Sequence, residues 1–550
     1  MMLRTRVVSM ILLFLLITGC GEEEAIQQTG TDQAVPHLKK QGTATQLIVD
    51  GKPFLMLAGE VGNSTASDPD YIRPFWDKFQ RINMNTVLAP VYWNLVEPEE
   101  GTYNFAEVDS LIVNARKHNL KLVLLWFGSW KNSMSCYTPG WVKTDQERFP
   151  RARTRSGRGL EILTPFSVEN RNADKRAFVA LMKHIKEFDR QHHTVVMMQV
   201  ENEIGMIPEA RDYSDPANRA YSDPVPEKLI SYLNDHRDNL IPEFREIWRR
   251  TGFNAEGTWT EVFGRGVQTD EIFMAWHFSR YVEEIAGAGK EVYPLPVYVN
   301  AALIREGEQP GEYPSAGPLP HLMDVWRAGA PSIDFLSPDI YFPNFAEWCR
   351  KYHRSGNPLF IPEAGRGSAS VAHVFYAIGQ HDAMGFSPFS IEDLDPETHR
   401  LPESYDVLGQ LSSLILQHQG QGTMAGVLLR DDKRKVSVNL GEYTFNISHH
   451  FSLPWSQAEE YETWPRTGAI IIERSPHEFI VGGTGVVMTF QPSTPGDPIA
   501  GIEWIEEGEY IDGKWVPGRR MNGDQSHQGR HLSIPFGQHN IQHIKLYRYE

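Results

Sequence analysis

Apolar runs that stop abruptly in acidic or amide residues set the pattern of this chain. The clearest covers residues 194–205, where Val195, Val196, Met197, Met198 and Val200 give way to Glu201, Asn202 and Glu203. So uniform a run predicts a parallel strand covered on both faces. Comparable runs predict strands over 55–60, 86–93, 121–128, 295–301, 335–342, 358–365 and 385–392, making eight with 194–203. Between them apolar positions recur at helical spacing: Val108, Leu111, Ile112 and Ala115; Phe178, Met182 and Ile185; Val407, Leu408, Leu411 and Ile415. Strand, helix and strand in regular alternation predict an α/β fold, a (β/α)8 TIM barrel over residues 45–420. An open doubly wound sheet would alternate in the same way, but no glycine-rich phosphate turn follows the first strand. The connection over 205–294 is far longer than a crossover needs. Its helical stretches at 226–250 and 270–287 predict an insertion that either shapes a cleft or decorates the surface.

Beyond residue 420 the period changes. Val436, Val438 and Leu440, then Tyr443, Phe445 and Ile447, alternate with polar residues, and glycine turns recur. This texture predicts an antiparallel, β-sandwich-like domain over 421–550. Core packing is the expected use of most of its tryptophans, Trp455, Trp464, Trp504 and Trp515, with a sugar-binding face as the alternative.

The first twenty residues carry Arg4 and Arg6, an apolar run at 7–17, then Thr18, Gly19 and Cys20. The run is too short to span a bilayer and has the order of a secretory signal. Residues 16–20 resemble a bacterial lipobox, which implies cleavage before Cys20 and lipidation of its thiol; an ordinary signal peptide cut nearby is the alternative. The polar, acidic stretch 21–44 is expected to be a flexible tether. The protein is then expected to be exported and lipid-anchored in the cell envelope, at the periplasm or outer membrane.

A net charge of −17 speaks against nucleic acid or an anionic lipid surface as partner, since both require a basic footprint. Cys136 and Cys349 either pair or stay free, and no residues have zinc spacing. No metal and no organic cofactor is expected, and oligomeric state has no signal in the sequence.

The strand ends carry the chemistry. In order they bear Glu60; Tyr92, Trp93 and Asn94; Trp126 and Trp130; Asn202 and Glu203; Asn300; Asp339 and Tyr341; Glu363; and Glu392. A ring of aromatics, amides and carboxylates suits a sugar. Strands four and seven lie nearly opposite in such a barrel, so Glu203 and Glu363 face each other as the acid and nucleophile that glycoside hydrolysis requires. Glu201 points away from Asn202 and is expected to belong to a buried structural ion pair.

Three motifs carry a resemblance. Ala58-Gly59-Glu60, the segment 85–105 with its Tyr92-Trp93-Asn94, and Gln199-Val200-Glu201-Asn202-Glu203-Ile204-Gly205 resemble family 35 β-galactosidases, retaining enzymes built on this barrel. Residues 501–504 and 519–523 are similar to the β domain of a bacterial branch of such enzymes. The resemblance implies an exo-acting β-galactosidase for terminal β-galactosyl residues of oligo- or polysaccharides, such as plant cell-wall side chains. It gives Glu203 the acid/base role, Glu363 the nucleophile, Asn202 a hydrogen bond to the sugar 2-hydroxyl, and Tyr341 the task of holding the nucleophile ionised. Glu60, Tyr92, Trp93, Asn94, Trp130 and Asn132 complete the expected substrate-binding set. The departure follows strand three, where the family's Cys-Ala-Glu-Trp segment is replaced by Gly128-Ser129-Trp130-Lys131-Asn132. Lys131 or Asn132 takes over the lost glutamate's grip on the sugar, or the loop is a different surface turn. A retaining enzyme specific for another sugar and an inactive surface glycan binder are the alternatives.

Overall fold

The computed structural model describes residues 34–550 apart from Gln457. The signal segment, Cys20 and most of the tether lie outside the described residues. Residues 37–44, expected to belong to the tether, are ordered in a sheet instead. His37–Gln41 is a strand paired antiparallel with Ala44–Val49, which pairs in turn with Lys52–Phe54.

Eight parallel strands close into a barrel: β1 (Met56–Glu60), β2 (Thr86–Tyr92), β3 (Lys121–Lys131), β4 (Val195–Asn202), β5 (Val297–Ala302), β6 (Phe335–Ile340), β7 (Ile361–Ala364) and β8 (Gly385–Pro388). Each neighbours the next in sequence, and β8 pairs with β1. Every residue of β1, β2 and β4 is buried, as a strand covered by helices outside and side chains inside must be. The apolar stripes read from the sequence are the buried faces of Ala106–Lys117, Val168–Asp189 and Leu401–His418.

The long connection after β4 is corrected in one respect. Val267–Val292 packs against both Val168–Asp189 and Met323–Gly329, the helices that follow β3 and β5. It is the barrel's own fourth helix. The inserted part is therefore residues 205–266, with helices Asp215–Ser222, Glu227–Asp235, Pro242–Arg249 and Trp259–Phe263. With the loop after β5 it walls a cavity of about 950 Å³ that Ile247, Phe263, Ile304 and Trp348 help to line.

The C-terminal region forms two antiparallel sheets. Six strands run in the order 424–429, 467–475, 478–484, 540–549, 499–511 and 514–520, and four in the order 435–440, 443–449, 486–492 and 532–534. Phe445, Phe479, Ile471, Val481, Met488 and Ile544 fill the space between them. The larger sheet also packs on the helices Ser370–His381 and Leu401–His418. Backbones nearly touch there: a Cβ on Gly426 would lie 2.5 Å from the Gln380 nitrogen, so only glycine fits.

None of the four tryptophans is fully buried, and of them only Trp515 packs against a core, the large one shared with the barrel. Trp455 is 59 % exposed and the other three are half-buried. Branched aliphatics and phenylalanines fill the core instead. Trp464 lies under the Arg434 guanidinium at 3.8 Å and Trp504 under that of Arg520 at 5.0 Å, which places both on outer surfaces. Cys136 is exposed and Cys349 buried, and both thiols are free.

Candidate active site

The barrel's carboxyl-terminal mouth gathers side chains from most of its strands. A tight turn begins at the end of β3, with Asn132 and Ser133 both in left-handed backbone conformations at φ 48° and 67°. Lys131 and Met134 exchange two backbone hydrogen bonds across it. The same turn is clamped to the end of β4, because the Asn132 amide donates to the Asn202 carbonyl at 3.1 Å and the Ser133 amide to that of Glu203 at 3.1 Å. Glu203 itself has φ 45°, an uncommon conformation for a side-chain-bearing residue outside a turn and one that marks functional sites.

Side chains complete the clamp. Lys131 Nζ donates to Asn202 Oδ1 at 2.8 Å, and Asn132 Nδ2 donates to Glu203 Oε2. From β5, Asn300 accepts the Glu203 backbone N–H at 3.0 Å through Oδ1 and donates through Nδ2 to Asp339 Oδ2 at 2.6 Å. Tyr341, just past β6, donates its hydroxyl to Glu363 Oε1 on β7. Glu203 and Glu363 are 6 % and 4 % exposed, so the pair is buried but reachable.

Oxygens of Glu203, Asp339 and Glu363 all lie within 4.8 Å of one another. Among the described residues no other group of three acidic, histidine or cysteine side chains converges in this way. A positive charge is already built in beside it, on Lys131, which acts on both Glu60 and Glu363. Burial, then the charge of Glu203, push the Glu363 carboxyl up to about 7, while Lys131 and the Tyr341 hydroxyl pull it back. Burial and the charge of Glu363 drive Glu60 and Asp339 well above the usual carboxylate range. Two facing carboxyls can, between them, protonate a leaving oxygen and attack or activate water.

The other expected site residues divide. Glu60 belongs to the site: it is 1 % exposed, its Oε1 has no hydrogen-bond partner, and it feels the charges of Glu363, Lys131 and Glu203. Tyr92 is buried against Phe127 and Tyr137 with its hydroxyl unpartnered, and Asn94 keeps a buried, unpartnered Oδ1. Glu392 ties β8 to the loop after β1 by accepting from the Gly62 amide at 2.8 Å and from Thr65.

Trp93 and Trp130 are not brought to the mouth. Trp93 opens the short helix Trp93–Val96, which turns its ring inward, and its indole N–H is used on Glu97 Oε2 at 2.8 Å. Trp130 is wedged against Phe278 and Tyr281 of the fourth helix. Glu201 has no cation. It accepts the Trp130 backbone N–H at 2.8 Å and faces Asp174, so burial and that second carboxyl raise it well above the usual range and the expected ion pair is a carboxyl–carboxylate pair. Lys131, Asn300 and Asp339 are the functional positions that strand-end reading left without a firm role. Their signal was that each is a polar residue at or near the end of a largely apolar strand.

Residues 46–247 match the model of glycosyl hydrolases family 35, and residues 401–533 match a domain of unknown function, DUF5597. The first match spans β1 to β4 and includes Glu203; Tyr341 and Glu363 lie beyond it and join the site through the barrel. The chain is 24 % identical over 229 residues to a β-galactosidase of Xanthomonas manihotis, covering 38 % of this chain and 33 % of that protein. It is 27 % identical over 179 residues to β-galactosidase 14 of Arabidopsis thaliana, covering 31 % of this chain and 19 % of that protein. The chain thus spans a third or less of the curated relatives it matches. A solved β-galactosidase from Bacillus circulans sp. alkalophilus aligns with 66 % of this chain and 57 % of its own at 17 % identity, with a TM-score of 0.45.

Proposed function

We propose that this chain, a family 35 glycosyl hydrolase by its match over residues 46–247, is a retaining, exo-acting β-galactosidase whose acid/base is Glu203 and whose nucleophile is Glu363. The observation that carries the reading is the approach of the two carboxyls to within 4.8 Å, oxygen to oxygen. Retaining glycosidases hold their pair about 5–5.5 Å apart, whereas inverting ones leave room for a water at about 6.5–9.5 Å.

In the first step Glu363 attacks the anomeric carbon while Glu203 protonates the glycosidic oxygen, giving a glycosyl ester and the free leaving group. Tyr341 and Lys131 favour the charged, nucleophilic form of Glu363. In the second step Glu203 takes a proton from water as the oxygen attacks the anomeric carbon, and Glu363 leaves as carboxylate. Two displacements at one carbon restore its configuration. No step needs a metal or organic cofactor.

A panel of aryl β-glycosides tests the activity. The β-galactoside is expected to be cleaved fastest; preference for another sugar would keep the mechanism and remove the galactosidase name. One observation favours that second reading: Lys131 and Asn132 stand where the family's sugar-gripping glutamate is expected, and both side chains are spent on Asn202 and Glu203. The natural substrate proposed is a terminal β-galactosyl residue on a polysaccharide side chain.

The pH profile follows from Glu363. Its carboxyl must be ionised to attack, and it titrates at about 7, so kcat/KM is expected to fall as pH drops through that value. Tyr341→Phe removes a hydrogen bond that favours the charged form, so the acidic limb is expected to move to higher pH. A limb that stays in place would show that Tyr341 does not tune the nucleophile.

Export and lipid anchoring at Cys20 belong to the same proposal and rest on residues 16–20 alone. Cys20→Ala is expected to abolish incorporation of labelled palmitate and to release the protein from the membrane fraction; label retained in the variant would place the lipid elsewhere.

A further inference from the structure

We propose that Lys131 is a positioning residue of this site, holding the Asn202 amide so that its nitrogen faces the sugar 2-hydroxyl and setting a positive charge against the nucleophile. The inference rests on the glycosidase reading above and goes beyond it, because lysine is foreign to the family pattern at this place.

Chemistry fixes the orientation of Asn202. An ammonium can only donate, so the atom it meets at 2.8 Å must be the amide oxygen. That leaves Nδ2, which is buried and has no partner in the protein. A buried N–H without a partner costs about 1–3 kcal/mol, and a substrate hydroxyl placed there relieves it. With Lys131 removed, the amide is free to rotate, and its oxygen can turn toward the substrate as readily as its nitrogen.

Lys131 cannot swing away. It is 4 % exposed, its Nζ lies over the Phe127 ring 5.2 Å from the centroid, and the turn behind it is hydrogen-bonded to β4. Glu60 from β1 and Glu363 from β7 feel its charge; Glu203 from β4 acts on both of these carboxyls, Glu392 past β8 on Glu60 and Tyr341 on Glu363, and Asp339 from β6 feels both Glu60 and Glu363. Among these acidic groups it is the cation that acts on both Glu60 and Glu363. An uncompensated buried carboxylate would take up a proton instead, and a protonated Glu363 cannot attack.

Two variants separate the two tasks. Lys131→Met removes both donor and charge; Lys131→Gln keeps an N–H for Asn202 Oδ1 but removes the charge. Each is assayed as the full mature protein on an aryl β-galactoside and on its 2-deoxy counterpart across pH. Wild type is expected to favour the natural sugar strongly. In Lys131→Met the plateau kcat on the galactoside is expected to fall on the order of 10²-fold while the 2-deoxy substrate loses only a few-fold, so the discrimination collapses. In Lys131→Gln the discrimination is expected to persist while the acidic limb of kcat/KM moves to higher pH. Equal losses on both substrates with an unmoved limb would overturn the proposal and leave Lys131 a structural residue. Should Lys131→Met fail to fold, Lys131→Gln and Asn202→Ala carry the same test: an unmoved limb in the first, or undiminished 2-hydroxyl discrimination in the second, overturns it. If wild type cleaves another glycoside in place of the galactoside, the galactosidase reading fails alone, and the 2-deoxy comparison is made with that sugar.

Discussion

Glu363→Ala is expected to lose roughly 10⁴-fold or more in kcat on every β-glycoside, because in the proposed mechanism this carboxylate forms the bond to the anomeric carbon. The side chain sits at the end of β7, its Oε1 held by Tyr341 and its Oε2 unpartnered and therefore free to attack. Truncation opens a small space on that face of the sugar without disturbing the clamp between β3 and β4, which involves none of its atoms. Azide can occupy that space. Added azide is expected to restore turnover and to release the α-glycosyl azide, since the single displacement inverts the carbon. Rescue that yields a β-azide, or full activity without azide, would move the nucleophile elsewhere.

Glu203→Ala is expected to give the second largest effect, with a different signature. General acid–base assistance is worth about 10²–10⁴-fold, and its loss matters most when the leaving group is poor. Alkyl and sugar leaving groups are thus expected to lose the full factor in the first step, whereas an activated dinitrophenyl group needs no proton to depart. With such a substrate the glycosyl ester forms and then accumulates, because water is no longer deprotonated. Azide needs no base, so it is expected to accelerate turnover and give the β-azide. The two variants therefore yield azides of opposite configuration, which identifies each carboxyl without reference to the other. Equal losses for all leaving groups would remove Glu203 from the acid role.

The barrel was legible because all eight strands are covered on both faces, and such runs are uniformly apolar. The facing pair was legible for the same reason, since a carboxylate that ends a buried strand stands out from it. Trp93 and Trp130 show where this reading fails. A strand end fixes which residues are near the mouth, but the side on which each ring lies depends on the next few dihedral angles. Trp93 starts a helical turn, and Trp130 faces the fourth helix. Lys131 was undecided because its contact with Asn202 depends on the left-handed turn at Asn132 and Ser133, residues with no glycine to mark it. The fourth helix was merged with the insertion although Val267–Val292 is buried nearly all round, from Glu271 to Trp276 without a break, because the sequence does not show that it packs between neighbouring barrel helices. The tryptophans of the C-terminal region were assigned to the core by their size, yet cations and edge positions hold Trp464 and Trp504 at the surface.

The most direct test of the central claim is the anomeric configuration of the first sugar released by wild-type protein from an aryl β-galactoside, followed by proton NMR before mutarotation. A retaining enzyme releases the β anomer first, and the α anomer then grows in at the mutarotation rate of the free sugar. An α anomer released first would mean a single displacement by water and would contradict the assignment of Glu363 as nucleophile.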